Sequence, residues 1–257
     1  MLLALLSPAK KLDFAPAPAF VKASTPALLE DTALLAVRAK KLTRSDLRRL
    51  MDLSSKLADL NYQRFQSFDP ANGGETKPAI YAFAGDVYVG FDAKTFAPDD
   101  IAFAQKHIAI ISGLYGLLRP LDAIQPYRLE MGSGVKTARG KDLYAFWRAS
   151  LTAHLNAVTA KLKNPTIINL ASHEYWNALD EKALQSPVIQ ATFKEIKGGK
   201  ATVVSFLAKK ARGMMARYIV QNRLTDPEDL KKFDVAGYSF NTTASNDTVW
   251  IFSREAK

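Results

Sequence analysis

The chain of 257 residues contains no cysteine. That absence removes disulfides, thiolate nucleophiles and thiolate metal sites together. Long apolar runs are also missing. The apolar start, Leu2 to Leu6, is too short for a signal-peptide core, and its lysines follow it rather than precede it. No run approaches the length that spans a bilayer. The expectation is a soluble cytoplasmic protein. Histidine is scarce: His107, His154 and His173 are scattered, and HExxH is missing. His107 ends a predicted helix, where the dipole favours it without any further role. P-loop, GxSxG and GxGxxG patterns are absent, and the glycine spacing of SGLYGLL at 112–118 does not fit a phosphate-binding turn. Neither a cofactor nor a bound metal is expected. Acidic residues are in short supply as well: 25 Asp and Glu face 35 Lys and Arg, a net charge of +10 and a pI near 9.6. That balance suggests an acidic partner, most often nucleic acid. A soluble protein that is basic for no such reason has the same composition.

What is present is ample core material, 48% hydrophobic residues, in a length that fits one large domain or two small ones. Residues 2–6 read as a buried strand ended by Ser7-Pro8, with Lys10-Lys11 at its exit. Pro16, Pro18 and Pro26 mark residues 14–26 as an extended surface connector. A helix follows over 27–41, with Leu28, Leu34, Leu35 and Val37 expected towards the core. Thr43 caps a second helix over 44–51, with Asp46 near its positive end. After a turn at 52–55, a third helix runs to about residue 67 with Leu57, Leu60 and Phe65 on one face. Two short helices around a tight turn can present backbone amides and a helix N-terminus to a DNA phosphate, with Ser54, Ser55 and Lys56 as the contacts. They can equally be a packing unit. The run 79–83 reads as a strand after a loop at 69–78, and GDVYVGFDA at 85–93 alternates too briefly to assign. Further on, the pattern predicts a helix from Pro98 to about 106, a long helix over 142–162, a strand from Pro165 to Leu170, a Gly-Gly hairpin joining 188–196 to 200–206, and a last strand over 249–253. Interleaved helices and strands without an internal repeat argue for one α/β or mixed α+β domain.

Two polar clusters stand at predicted strand ends, where α/β proteins usually bind ligands. The first follows the strand 107–111. Between its glycines and prolines lie Ser112, Tyr115, Arg119, Asp122, Tyr127, Arg128 and Glu130. With Lys10, these residues are candidates for a pocket, and Asp122 and Glu130 could act there as general acid and base. Pairing with Arg119 and Arg128 would serve equally as structure. The second cluster is Ser172-His173-Glu174, in which His173 is the histidine with a neighbouring acid.

The helix over 206–222 divides sharply. At about 100° per residue, Leu207, Ala211, Met214, Met215, Tyr218 and Ile219 share one arc. Lys209, Lys210, Arg212, Arg217 and Arg223 share the other, with Gly213 near its middle and no acid among them. A helix facing only solvent usually mixes signs. A one-signed face with a glycine gap suits a polyanion whose backbone approaches closely.

The segments LSPAKKLDF (6–14), LMDLSSKLADLN (50–61), GDVYVGFDA (85–93), SGLYGLLRPLDAIQPYRLEMG (112–132), GKDLYAFW (140–147), INLASHEYW (168–176) and SFLAKKARGMMARYI (205–219) together resemble the YaaA-type peroxide-stress proteins. The resemblance runs from one end of the chain to the other. It implies one compact α/β domain over 1–257, of unusual topology, with a basic cleft and a helix–hairpin–helix element at about 44–66. It also implies binding of double-stranded or branched DNA and a part in limiting iron-driven oxidative damage. Where the usual hairpin has glycines, this chain has Leu53-Ser54-Ser55.

Two functions follow. One is a non-enzymatic DNA-binding protein of the peroxide-stress response with little sequence specificity, for which a monomer is favoured. The other is an enzyme acting on a nucleotide or nucleobase in a pocket built by residues 112–130.

Overall fold

A strand that is apolar at every position has to be covered on both faces and paired on both edges. Strand β1 (Leu2–Leu6) meets this demand: all five residues are buried. Its edges pair in parallel with β3 (Ile108–Ser112) and β6 (Thr166–Asn169). The computed structural model describes residues 1–69, 71 and 73–256. Positions 70 and 72 of the predicted 69–78 loop, and position 257, lie outside the described residues.

The chain continues from β1 into α1 (Leu29–Lys40), α2 (Arg44–Met51) and α3 (Ser55–Ser67). Then come β2 (Lys77–Pro78), α4 (Ala79–Ala82), α5 (Asp86–Phe91) and α6 (Pro98–His107) before β3. Strands β4 (Gly116–Leu118) and β5 (Ala123–Ile124) precede α7 (Leu143–Thr159), which leads to β6 and α8 (His173–Trp176). The chain closes with β7 (Val188–Lys197), β8 (Lys200–Thr202), α9 (Ser205–Gln221), β9 (Ser239–Phe240) and β10 (Val249–Glu255).

Among the described residues, eight strands form one sheet in the order β4-β3-β1-β6-β7-β10-β9, with β8 added beside β7. Strands β3, β1, β6, β7 and β10 are parallel. Antiparallel β4 and β9 form the two edges, and antiparallel β8 pairs the far end of β7. The protein is therefore a single mixed α/β domain. Helices α6 and α9 lie against each other and against β1. Phe193, Phe233, Tyr238 and Phe252 fill the core on the β7–β10 side. Buried Glu195 accepts from Tyr238 Oη and from Arg254 Nε at 3.0 Å, so a carboxylate inside that core keeps its charge compensated. Among the described residues no helix is long and apolar enough to cross a membrane.

Several local expectations are corrected. Run 79–83 is a helical turn and not a strand: Pro78 starts it with φ −54°, and only Phe83 returns to extended backbone. Periodicity cannot separate the two in so short an apolar run. GDVYVGF is helix α5, with Val87, Tyr88, Gly90 and Phe91 buried. On α1 the buried set is Thr32, Leu35, Ala36 and Ala39. Leu34 and Val37 are 56% and 52% exposed instead. On α3, Ala58, Asn61 and Phe65 face inward while Leu57 and Leu60 are exposed. In both helices a small or polar residue takes the inner position because another helix passes close, α1 against α3 and α3 against α2. The strand expected over 200–206 stops at Thr202. Thr43 caps α2 as its sequence indicates, in a reciprocal pair with Asp46, whose carboxyl is held at about 2, first by the Thr43 hydroxyl.

Candidate functional site at the strand ends

Because β1 is the strand from which the sheet grows in both directions, the crevice beyond its carboxyl end is where an α/β fold usually places a ligand. Three segments meet there. After β1 the chain turns through Ser7, Pro8, Ala9, Lys10 and Lys11. After β6 it turns through Ser172 into α8. The start of α5 completes the rim with Gly85, Asp86 and Val87. Hydrogen bonds lock the two strand exits together. Ser172 N donates to Ser7 Oγ at 2.8 Å, and Ser7 Oγ donates to Ser172 Oγ at 3.2 Å. Tyr88 Oη donates to the Ser7 carbonyl at 3.0 Å, which ties α5 to the same turn.

These segments enclose a cavity of about 380 Å³. Lys10, Lys11, Lys209 and Arg212 line it, together with Asp86, Glu174, Tyr175 and Val87. A narrow recess beside it shares Lys10 and Tyr175 and adds Tyr127, Arg128 and Glu130. Glu130 is bracketed by cations: Lys10 Nζ lies 2.7 Å from one oxygen, and Arg128 Nη2 lies 2.8 Å from the other. Glu174 accepts the Gly132 amide at 3.0 Å. Among the described residues Lys11, Lys209 and Arg212 have no acidic partner, and the Nε of Arg212 is buried without any hydrogen bond. Burial with no compensating acid pushes the Arg212 guanidinium pKa down. A broader depression of about 760 Å³ beside α7 and α8 is lined by Lys141, Arg148 and Lys182 against Asp142, Asp180 and Glu181. Its charges cancel, so it exerts no comparable pull on an anion.

The basic face of α9, expected to meet a polyanion along its length, is arranged differently. Gly213 does let a backbone approach, but the backbone is that of α5. A Cβ on Gly213 would stand 1.8 Å from the Val87 carbonyl oxygen, and one on Gly90 would stand 2.1 Å from that of Lys210. Arg217 turns back to donate to the carbonyls of Phe91 and Asp92 and to Thr95 Oγ1. Arg223 pairs with Asp100 at 2.7 Å. Lys209 and Lys210 remain exposed, and Arg212 enters the cavity. The uninterrupted cationic stripe is therefore divided between internal ties and the cleft, because α5 and α6 supply acids and carbonyls that the helix sequence does not contain.

The pocket expected from residues 112–130 is likewise divided. Ser112 is buried, 2.6 Å from Tyr127 Oη, and accepts the amides of Leu114 and Tyr115. Tyr115 is fully buried and its hydroxyl accepts the Gln125 amide. Desolvation carries the hydroxyls of Tyr115 and Tyr127 far above the usual phenol range, so both stay protonated. Asp122 is only 1% exposed; it accepts from Ser24 Oγ, from the Arg119 amide and from the Arg119 guanidinium. It borders a separate cavity with His154, near the amino ends of β1 and β3. Tyr127, Arg128, Glu130 and Lys10 do reach the strand-end cleft. His173 starts α8 and is exposed, with no hydrogen bond to its ring among the described residues. No group of three or more His, Asp or Glu among the described residues is placed to hold a metal ion. Ser7, Asp86 and Tyr175 escape sequence reasoning. The available signal was the pair of strand exits, at 7–11 and at 172–174, which become one site once β1 and β6 are known to be neighbours.

The link between α2 and α3 is three residues, Asp52 to Ser54, with Asp52 in the left-handed region at φ 48°. Ser54 Oγ accepts the Leu57 amide and so caps α3. Ser54, Ser55, Lys56 and neighbouring Arg48 are all exposed, while Leu53 is buried beneath them. Arg44 fastens the two helices, with Nε 2.6 Å from Asp59 and its guanidinium 4.0 Å above the Tyr62 ring.

Comparison with known proteins places this geometry in context. Residues 2–244 match the family model described as peroxide stress protein YaaA. A UPF0246 protein of Saccharophagus degradans is 49% identical over 99% of this chain and 100% of its own length. Similar UPF0246 proteins occur in Polynucleobacter necessarius, 50% identical over 98% of both chains, and in Phenylobacterium zucineum, 50% identical over 98% of this chain and 95% of its own.

Proposed function

The chain belongs to the peroxide stress protein YaaA family, and from that premise we propose that it binds double-stranded or branched DNA through the phosphate backbone, protecting it and limiting iron-driven damage. The observation that carries this reading is the run of unpaired cations at the cleft. Lys11, Lys209 and Arg212 face one opening, and exposed Lys210 follows on α9, with no acidic partner among the described residues. Cations that are not neutralised internally are the ones whose phosphate contacts release counterions. A second exposed group, Arg48, Ser54, Ser55 and Lys56 at the α2–α3 link, offers a helix N-terminus beside positive charge, a common way to hold one phosphate. No base-reading pattern accompanies either group, so affinity should vary little with sequence.

The test is fluorescence anisotropy with a labelled duplex and a labelled four-way junction at several salt concentrations. Wild type should bind with affinity falling linearly in log salt. A Lys11→Ala/Lys209→Ala/Lys210→Ala variant should bind more weakly, with the slope shallower by about 0.9 for each phosphate it no longer neutralises. An Arg48→Ala/Lys56→Ala variant reports separately on the α2–α3 link. Binding that is indifferent to salt, or unchanged in both variants, would refute the proposal.

A further inference from the structure

Arg212 poses a question that duplex binding does not answer. Its Nε is shut off from solvent and has no acceptor among the described residues, and Arg212 is one of the residues that line the cavity. A buried donor without a partner is uncommon in folded proteins and calls for an acceptor. The described residues do not supply the acceptor. Asp86 and Glu174 line the same cavity, yet neither forms an ion pair with Arg212. Glu174 is already committed in part to the Gly132 amide. Lys10 is engaged by Glu130, and the unpaired cations Lys11, Lys209 and Arg212 outnumber Asp86 and Glu174 along the wall.

We propose that this cavity binds a phosphorylated small molecule of nucleoside-monophosphate size, with its phosphate on Arg212 and Lys209. Arginine presents a planar fork of donors that fits phosphate oxygens, and lysine adds a mobile point charge at the rim. The volume of about 380 Å³ greatly exceeds an inorganic phosphate and falls at the lower end of small-molecule sites. The rest of the wall suits an organic body. Val87 and the face of Tyr175 are apolar, while Asp86 and the remaining oxygen of Glu174 can accept hydrogen bonds from sugar hydroxyls or a base amino group. The hydroxyls of Ser7 and Ser172, fixed against each other at the strand exits, stand at the same rim. The same phosphate monoester chemistry is presented by a free nucleotide and by the phosphorylated 5′ end of a DNA strand. This inference shares Lys209 and Arg212 with the duplex reading but requires neither a second strand nor the α2–α3 link.

The test is isothermal titration calorimetry of the full chain with the four common nucleoside monophosphates, their parent nucleosides and inorganic phosphate. The expected result is binding of at least one monophosphate and none of its nucleoside. Arg212→Met keeps the apolar stem and removes the donors; Lys209→Ala lies on the exposed face of α9 and leaves the core untouched. Each should weaken monophosphate binding by about tenfold or more, and Lys209→Ala carries the test if Arg212→Met fails to fold. A single-stranded oligonucleotide with and without a 5′-phosphate then separates the two sources. Preference for the phosphorylated form assigns the site to DNA ends, and equal weak binding assigns it to the free nucleotide. Equal affinity for nucleoside and monophosphate, or no heat from any monophosphate at millimolar concentration, would overturn the inference. Duplex affinity measured on the same preparation keeps the two readings apart. Duplex binding without monophosphate binding removes only the cavity site, and the reverse removes only the DNA reading.

Discussion

Replacing Gly213 by alanine should destabilise the protein, against the ordinary preference of a helix. In the middle of a 17-residue helix, glycine to alanine alone favours folding by about 1 kcal/mol. Here the new Cβ would stand 1.8 Å from the Val87 carbonyl oxygen and 2.8 Å from the Phe91 nitrogen. Both are backbone atoms of α5 and cannot rotate aside, so α5 and α9 would have to part by more than an ångström. Overpacking of this kind costs about 1–3 kcal/mol and sometimes more. With rigid atoms on both sides the upper end applies, which leaves a net loss of about 2 kcal/mol or more after the propensity gain. Urea unfolding followed by circular dichroism should show a lower midpoint with an unchanged slope. Gly90→Ala makes the reciprocal clash with the Lys210 carbonyl at 2.1 Å. One separation of the helices relieves both clashes, so the double variant should lose less than the sum of the two single losses. A midpoint at or above wild type for Gly213→Ala would refute the close crossing. The crossing also sets the site, because α5 carries Asp86 and Val87 while α9 carries Lys209 and Arg212.

Asp122→Asn should cost about 1–3 kcal/mol of stability, since a buried acceptor of the Arg119 guanidinium becomes a neutral amide. Duplex affinity should stay the same, and loss of a function without loss of stability would return Asp122 to a functional role. His107 and His154 are both held below the usual imidazole range, first by burial. Their folded pKa values lie below the unfolded one of 6.5, so the unfolded chain takes up protons first and stability falls as pH drops below that value. Urea midpoints at about pH 7.5 and about pH 5.5 should differ in that direction, and the difference should shrink in His107→Gln. Asp13, held at about 2 chiefly by Lys94, adds a separate loss only as pH falls below its unfolded value of 3.8.

Much of the architecture was legible from the chain. The strands at 2–6, 108–112 and 166–169, the cap at Thr43, the Gly-Gly turn and the long helices carry local signals strong enough to stand alone. Where local and tertiary demands diverged, tertiary packing decided. Leu34, Val37, Leu57 and Leu60 are apolar yet exposed, because the inner positions of α1 and α3 are set by neighbouring helices. The site was legible only in halves. Lys10, Arg128, Glu130 and Arg212 were evident from charge and position, but nothing local says that the exits of β1 and β6 are adjacent. Ser112, Tyr115 and Asp122 looked like pocket residues because a polar group in a glycine-rich turn reads the same whether it faces a ligand or braces the turn. Trp147 shows the second use: its indole donates to the Gly113 carbonyl, and its ring lies 2.7 Å from where a Cβ of Gly116 would be. Gly116, at φ 70°, is thereby fixed on two counts.

The central place of β1 also has a kinetic consequence. Ala4 is in register with Ile108 on one side and Ile168 on the other, so an apolar pentapeptide must wait for partners roughly 100 and 160 residues further along the chain. Until they arrive, Leu2–Leu6 is an unpaired, aggregation-prone edge. The cleft at its carboxyl end cannot exist before β6 docks. Folding should thus be slow and dominated by non-local pairing.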